Sequence, residues 1–238
     1  MKLDVLVIAA HPDDAEIAIG GTLLLLKKAG AKVGVIDLTR GEMGSRGDQA
    51  HRDAETAEAT SLLNLDLRTS LELPDSRVEV TPEARESLAA MIRKHKPDVL
   101  IGHHTSDLHP DHVAAGQLTK DAWYLSGLRR LAEHARQEPH RPAHLYHFFG
   151  HLAADPTLVV DVGDVWEQKE ALIRCFNSQL TPQNESDRGE HFLFGADILE
   201  RVQTKARYWG ELISAKLGEP LLHQGPLTVN DPLRRWLA

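Results

Sequence analysis

Short apolar runs alternate with stretches of helical period through the first two thirds of the chain. Leu3–Ala10, Lys32–Thr39 and Asp98–Gly102 are close to continuously apolar, as strands covered on both faces must be. Helices are predicted between them. One spans Ile17–Ala29 and ends at Gly30, with Gly20-Gly21 allowing close backbone contact; another spans Asp48–Leu63. A third starts at the cap Thr81, carries Pro82 and Glu83 in its first turn, and runs to about His95. Leu67–Leu73 is a weaker strand stopped at Pro74, and His112–Glu133 holds a further helix. This alternation predicts an α/β fold: a mostly parallel sheet with helices on both faces.

Beyond a polar loop at His134–Ala143, strands are predicted at Leu145–Gly150 and Thr157–Val162, then helices at Val165–Gln179 and Ala196–Leu217. Leu180–Glu190 is polar and suits a mobile segment over a site. The tail Leu221–Ala238 carries short apolar pieces, read as packing on the domain or on a neighbouring subunit. The chain's 238 residues suffice for one full core, and no linker or repeat divides them, so residues 1–238 are read as a single domain.

Charge narrows the partners. A net charge of −8, from 27 basic and 35 acidic residues, argues against nucleic-acid or anionic-membrane surfaces. No apolar run approaches a membrane span, and Met1-Lys2-Leu3-Asp4 is not read as a signal peptide. The one cysteine, Cys175, lies among Leu172, Ile173 and Phe176 as a buried structural thiol and fits a reducing cytoplasm.

Two short runs nearly copy each other: His11-Pro12-Asp13-Asp14 and His109-Pro110-Asp111-His112. Each follows an apolar strand and precedes a helix, at the sheet edge where open α/β folds bind ligands. Helix capping explains one or two of the acids. It gives no reason for His11 at the end of a buried strand, nor for two histidines flanking Asp111. A catalytic zinc site needs three protein ligands and one open position, and His11, Asp14 and His112 can supply the three. Asp13 is then spare as a general base beside the attacking water. His109 is spare too; protonated, it can stabilise an oxyanion or pass a proton to a leaving amine. Asp111 is placed to orient that imidazole and raise its pKa. Together these describe hydrolysis of an amide or ester by activated water.

The loop Gly41–Gly47 lies at the same edge and lacks the dinucleotide glycine spacing. Its Arg46, and Arg52 on the next helix, are candidates to clamp a substrate carboxylate, against a plain surface role. Asp75 reads as a turn residue after proline. Of the 14 histidines, His103 and His104 end a strand next to the site, whereas His144, His147 and His151 receive no role. Lys169, Glu170 and Arg174 read as a solvated helix face.

A strand ending in Ala-His-Pro-Asp-Asp, Gly-Gly in the next helix, and a later His-Pro-Asp-His resemble the LmbE-like (PIG-L) deacetylases. The likeness extends to the Gly41–Gly47 loop, Arg52 with Glu55, Leu73-Pro74-Asp75, Ser178-Gln179, and Gly218-Glu219-Pro220 with Gly225-Pro226-Leu227. It implies a Rossmann-like fold and zinc-dependent removal of acetyl groups from N-acetylglucosaminyl substrates. By position it implies zinc on His11, Asp14 and His112, Asp13 as base, His109 with Asp111 at the transition state, and Asp75 on sugar hydroxyls. Length and tail are most similar to the bacillithiol branch, whose substrate is N-acetylglucosaminyl malate; another small N-acetylated sugar is the alternative. Some relatives carry a tyrosine or arginine just before the second motif, where this chain has Asp107 and Leu108. Oxyanion binding then rests on zinc and His109. A Rossmann-like module that only stores a metal or binds a nucleotide is the rival class, and a spare Asp13 argues against it.

Overall fold

The computed structural model describes residues 1–44, 48–180 and 198–227. Its strands are β1 (Val5–Ala9), β2 (Val33–Asp37), β3 (Leu67–Ser70), β4 (Val99–His103), β5 (His144–Phe148), β6 (Leu158–Asp161) and β7 (Gly218–His223). They form one sheet in the order β3-β2-β1-β4-β5-β7-β6. The first five strands pair in parallel, and β7 runs antiparallel to both β5 and β6. Fold and family expectation agree: a mixed, mostly parallel Rossmann-like sheet.

Every residue of β1 is buried, and its side chains alternate between two cores. Val5, Val7 and Ala9 pack with α1 (Asp14–Lys28), α2 (Gln49–Leu63), α6 (Trp166–Cys175) and α8 (Ile198–Glu211). Leu6 and Ile8 pack with α3 (Pro82–His95) and α4 (Pro110–Ser126) on the other face. Strand order reverses around β1, which has β2 on one side and β4 on the other. The carboxyl ends of β1 and β4 therefore open onto a crevice at the switch point.

Several boundaries depart from the periodic reading. Helix α1 begins at Asp14, three residues earlier than predicted. The span 112–133, expected to contain one helix, holds most of two, α4 and α5 (Arg129–His134), separated at Gly127. The one over 165–179 is a 3₁₀ turn, α6, and a four-residue α7 (Asn177–Leu180), with Phe176 off helical geometry between the last two. β7 was not foreseen as a strand. The segment from 181 to 190, most of the tail, and Arg46 lie outside the described residues.

Lys169 overturns the solvated-face reading. It is 1% exposed, and its ammonium lies 2.6 Å from Glu219 Oε1. Glu219 accepts the Gly21 N–H (2.9 Å), the Thr22 N–H (2.7 Å) and the Thr22 hydroxyl (2.6 Å). A Cβ on Gly21 would fall 2.9 Å from Glu219 Oε1 on β7 and 2.7 Å from Val162 just after β6, so glycine admits this close approach to the helix. Cys175 is buried beside Ala59 and Phe176, and burial pushes its thiol up to about 11; it is the inert thiol expected.

Candidate metal centre and active site

Strand β1 delivers the first motif and β4 the second, and the two meet across the crevice. Asp14 is the hub. Its Oδ2 accepts the His11 N–H (2.8 Å) and lies 3.4 Å from His11 Nδ1 and 3.2 Å from His103 Nε2. Its Oδ1 lies 3.2 Å from His112 Nε2. Ligand atoms of His11, Asp14 and His112 all fall within 4.8 Å of one another. Two imidazoles and one carboxylate so gathered match the donor set of a catalytic zinc centre, and these residues fit a divalent cation.

Asp13 stands beside this group with φ 118°, a backbone conformation that L-residues rarely adopt. It precedes α1 at the capping position yet makes no side-chain cap bond, so capping does not explain it. Burial pushes its carboxyl up to about 7; the Arg52 guanidinium opposes this shift and the Asp14 charge adds to it. Next along, the fully buried Glu16 pairs with Arg68, which also binds Asp37.

Electrostatics across the cluster follow from crowded carboxylates. Burial works against a charged His112, but Asp14 and Asp107 outweigh it and raise the ring to about 9. His11 is raised likewise, its burial outweighed by bonds to Asp111, Asp14 and Asp75. Asp14 is itself held well below the carboxylate range, mainly by His112 and His103 against burial. His103, wholly enclosed, is pushed down to about 4 by burial and is neutral. The site favours positive charge at its centre.

Four predicted site residues make contacts other than those expected. Asp111 sends its carboxylate to His11 Nε2 (3.2 Å) and accepts the Ser76 and Val78 N–H groups (2.7 and 3.2 Å). Only its backbone N–H meets His109, donating to Nδ1 at 3.2 Å. His109 is not raised as expected: burial, His11 and His112 lower it against the pull of Asp111. Arg52 is not an open clamp. It is 4% exposed, donates to the Pro12 carbonyl (3.2 Å) and lies 4.0 Å from Asp13. A Cβ on Gly41, which has φ +68°, would fall 2.3 Å from its Nη2, so this loop closes over the guanidinium. Asp75 is also engaged within the protein, 3.1 Å from His11 Nε2 and accepting the Met43 N–H at 2.8 Å.

Two residues to which the sequence reading gave no role join the site. Asp107 Oδ1 lies 3.3 Å from His112 Nδ1 and 2.8 Å from His151 Nδ1, and accepts the His109 N–H at 3.0 Å. Burial is outweighed by these partners, which hold Asp107 far below the carboxylate range. His151 follows β5, the strand next to β4, and stacks on His112 with ring centroids 5.3 Å apart. Its position at the carboxyl end of the next parallel strand is the signal that marks it. Glu55, noted beside Arg52, receives the Ser178 N–H and hydroxyl at 2.7 and 2.8 Å and ties α2 to α7. The cluster opens into a cavity of about 510 Å³ whose lining includes His11, Asp13, His109, His151, Val202 and Trp209.

Fold and site define a Rossmann-like α/β protein with an imidazole–carboxylate centre at its switch point. The PIG-L family profile, described as GlcNAc-PI de-N-acetylase, matches residues 6–123. The conserved protein TT1542 from Thermus thermophilus is 36% identical in a crystal structure covering 98% of this chain and 99% of that one, with TM-score 0.85. Diacetylchitobiose deacetylase of Thermococcus kodakarensis is 28% identical over 228 residues, 90% of this chain and 80% of that protein. A probable N-acetyl-alpha-D-glucosaminyl L-malate deacetylase 2 of Bacillus anthracis is 28% identical over 131 residues, 50% of this chain and 58% of its own. The chain belongs to the PIG-L (LmbE-like) deacetylase family. Among the described residues no helix is long and apolar enough to cross a membrane.

Proposed function

We propose that this chain is a metal-dependent N-deacetylase acting on a small N-acetylglucosaminide with a neutral aglycone, the class of N,N'-diacetylchitobiose. The observation that carries the reading is the convergence of His11, Asp14 and His112, with Asp13 held on strained backbone beside them. His11, Asp14 and His112 would hold a divalent cation, zinc by the character of the donor set, and that cation would supply Lewis-acid polarisation of the amide carbonyl and of water. Asp13, with Arg52 as its nearby cation, takes the proton of the attacking water. His109, its Nδ1 accepting the Asp111 N–H, stabilises the developing oxyanion through Nε2–H, and the proton that Asp13 took from water goes to the departing amine nitrogen. Asp75 and Asp111 fix the His11 ring, so Asp111 serves the metal ligand rather than His109.

Substrate choice turns on the arginines. Arg52 is 4% exposed and donates from Nη2 to the Pro12 carbonyl, so a malate carboxylate would meet it only by reaching its two unbonded nitrogens beneath the Gly41 loop. Diacetylchitobiose deacetylase, matched over 80% of its length, acts on that disaccharide by name, whereas the malate deacetylase matches half of this chain. A cavity of about 510 Å³ lies in the usual range for a small-molecule site. The malate conjugate, with Arg46 as its clamp, is the second reading. We also read a single-domain cytoplasmic enzyme, where the lone thiol stays reduced. Self-association fits Met43 and Leu108, 63% and 55% exposed beside the cavity.

An acetate-release assay on metal-stripped and zinc-restored protein tests the proposal. Expected is zinc-dependent release from diacetylchitobiose with kcat/KM at least about tenfold above that on N-acetylglucosaminyl malate, a gap of about 1.4 kcal/mol. The reverse order assigns the malate substrate. No acetate from either compound, with zinc bound, ends the deacetylase reading.

A further inference from the structure

His112 meets Asp14 through Nε2, and its other nitrogen is buried without a directed hydrogen bond. The acceptor within reach of that Nδ1 is Asp107 Oδ1, at 3.3 Å. Asp107 is itself enclosed, with 2% of its side chain exposed, and its other oxygen accepts the His151 N–H at 2.8 Å. Gly150 lets that loop close in, since a Cβ there would fall 2.6 Å from Asp107 Oδ2 and 2.9 Å from His112 Nδ1. From the far side, Lys205 donates to the Gly150 and His151 carbonyls at 2.8 and 3.3 Å.

Asp107, His112 and His151 also bring their ligand atoms within 4.8 Å, so they have the makings of a second cation site. Chemistry decides between the two uses. Serving two cations would require His112 to lose both ring protons, whereas donating Nδ1–H to a carboxylate is the common state of a metal-bound imidazole. We infer that Asp107 is a positioning residue: its carboxylate orients His112 for the cation and anchors the 150–151 loop, and the trio supports one metal centre rather than forming another. The inference rests on the metal assignment proposed above.

Zinc stoichiometry and affinity, measured by competition with a chromogenic chelator, test it without an activity readout. Expected is one zinc per chain, with Asp107→Asn weakening affinity about 10- to 100-fold and His151→Ala changing it by less than about threefold. Two zinc ions per chain, falling to one in His151→Ala, would overturn the inference in favour of a second site. Unchanged affinity in Asp107→Asn would overturn it as well. Should that variant not fold, histidine ¹⁵N NMR of the zinc-loaded wild type decides: a proton on His112 Nδ1 is expected, and its absence refutes the assignment. His11→Ala separates the two levels. If it keeps wild-type zinc affinity, the metal assignment itself fails, and Asp107 loses its role with it.

Discussion

The two histidine–proline–aspartate runs differ far more in space than in letters. In the second, His109 caps α4 from an extended backbone, Pro110 takes the first helical position, and Asp111 follows in regular helix. In the first, α1 starts only at Asp14, and the equivalent of Asp111, Asp13, is left outside it at φ 118°. The relaxed run places rings: His109 and His112 stack with centroids 4.7 Å apart. The strained run places carboxylates, Asp14 at the centre and Asp13 beside it. Strain of this kind costs about 1–3 kcal/mol and persists only where surrounding contacts impose it. Here Arg52 holds the Pro12 carbonyl. The same four-residue vocabulary thus leaves a spare acid, Asp13, in one run and a spare imidazole, His109, in the other.

Removing the spare acid breaks the comparison most severely. Asp13→Asn is expected to retain one zinc per chain while deacetylation falls about 10²- to 10⁴-fold, the usual contribution of a positioned base. Near-normal turnover would return Asp13 to a purely conformational role and revive a metal-storage reading. On the imidazole side, His109→Gln is expected to lower kcat about 10²- to 10³-fold with zinc affinity kept, as loss of one oxyanion donor does. A drop confined to KM would show that His109 only binds substrate.

Much of this centre was legible because its residues are local. The buried runs of β1 and β4 have an unmistakable apolar pattern, and each motif follows its strand directly, so His11, Asp14 and His112 could be brought together by topology alone. What failed was non-local. The Asp107–His151 contact spans 44 positions, and Lys169 meets Glu219 across 50, so neither partner is marked by its own neighbourhood. Arg52 looks like an exposed helical arginine until Gly41 is seen to close over it. β7 escaped because Gly-Glu-Pro is poor strand sequence. Pairing with β5 covers only Leu221–His223, which leaves Pro220 beyond its end, where a missing N–H forfeits no ladder bond there.

The smallest effect is the sharpest test of the contrast, because it is a sign and not a size. Asp13→Gly and Asp13→Ala both delete the carboxylate and differ only in a Cβ on a backbone at φ 118°. Glycine tolerates that geometry, so Asp13→Gly should be the more stable of the pair by about 1–2 kcal/mol. At Asp111 the same pair of variants sits in the first turn of α4 on helical backbone. There glycine loses more chain entropy than alanine, so Asp111→Gly should be the less stable by about 0.5–1 kcal/mol. Urea unfolding of the four variants, without added metal, measures both differences on one scale. Opposite signs would show that the first run carries strain the second does not. Equal signs would mean that Asp13 relaxes into ordinary geometry, and that the carboxylate is held in place by its partners alone.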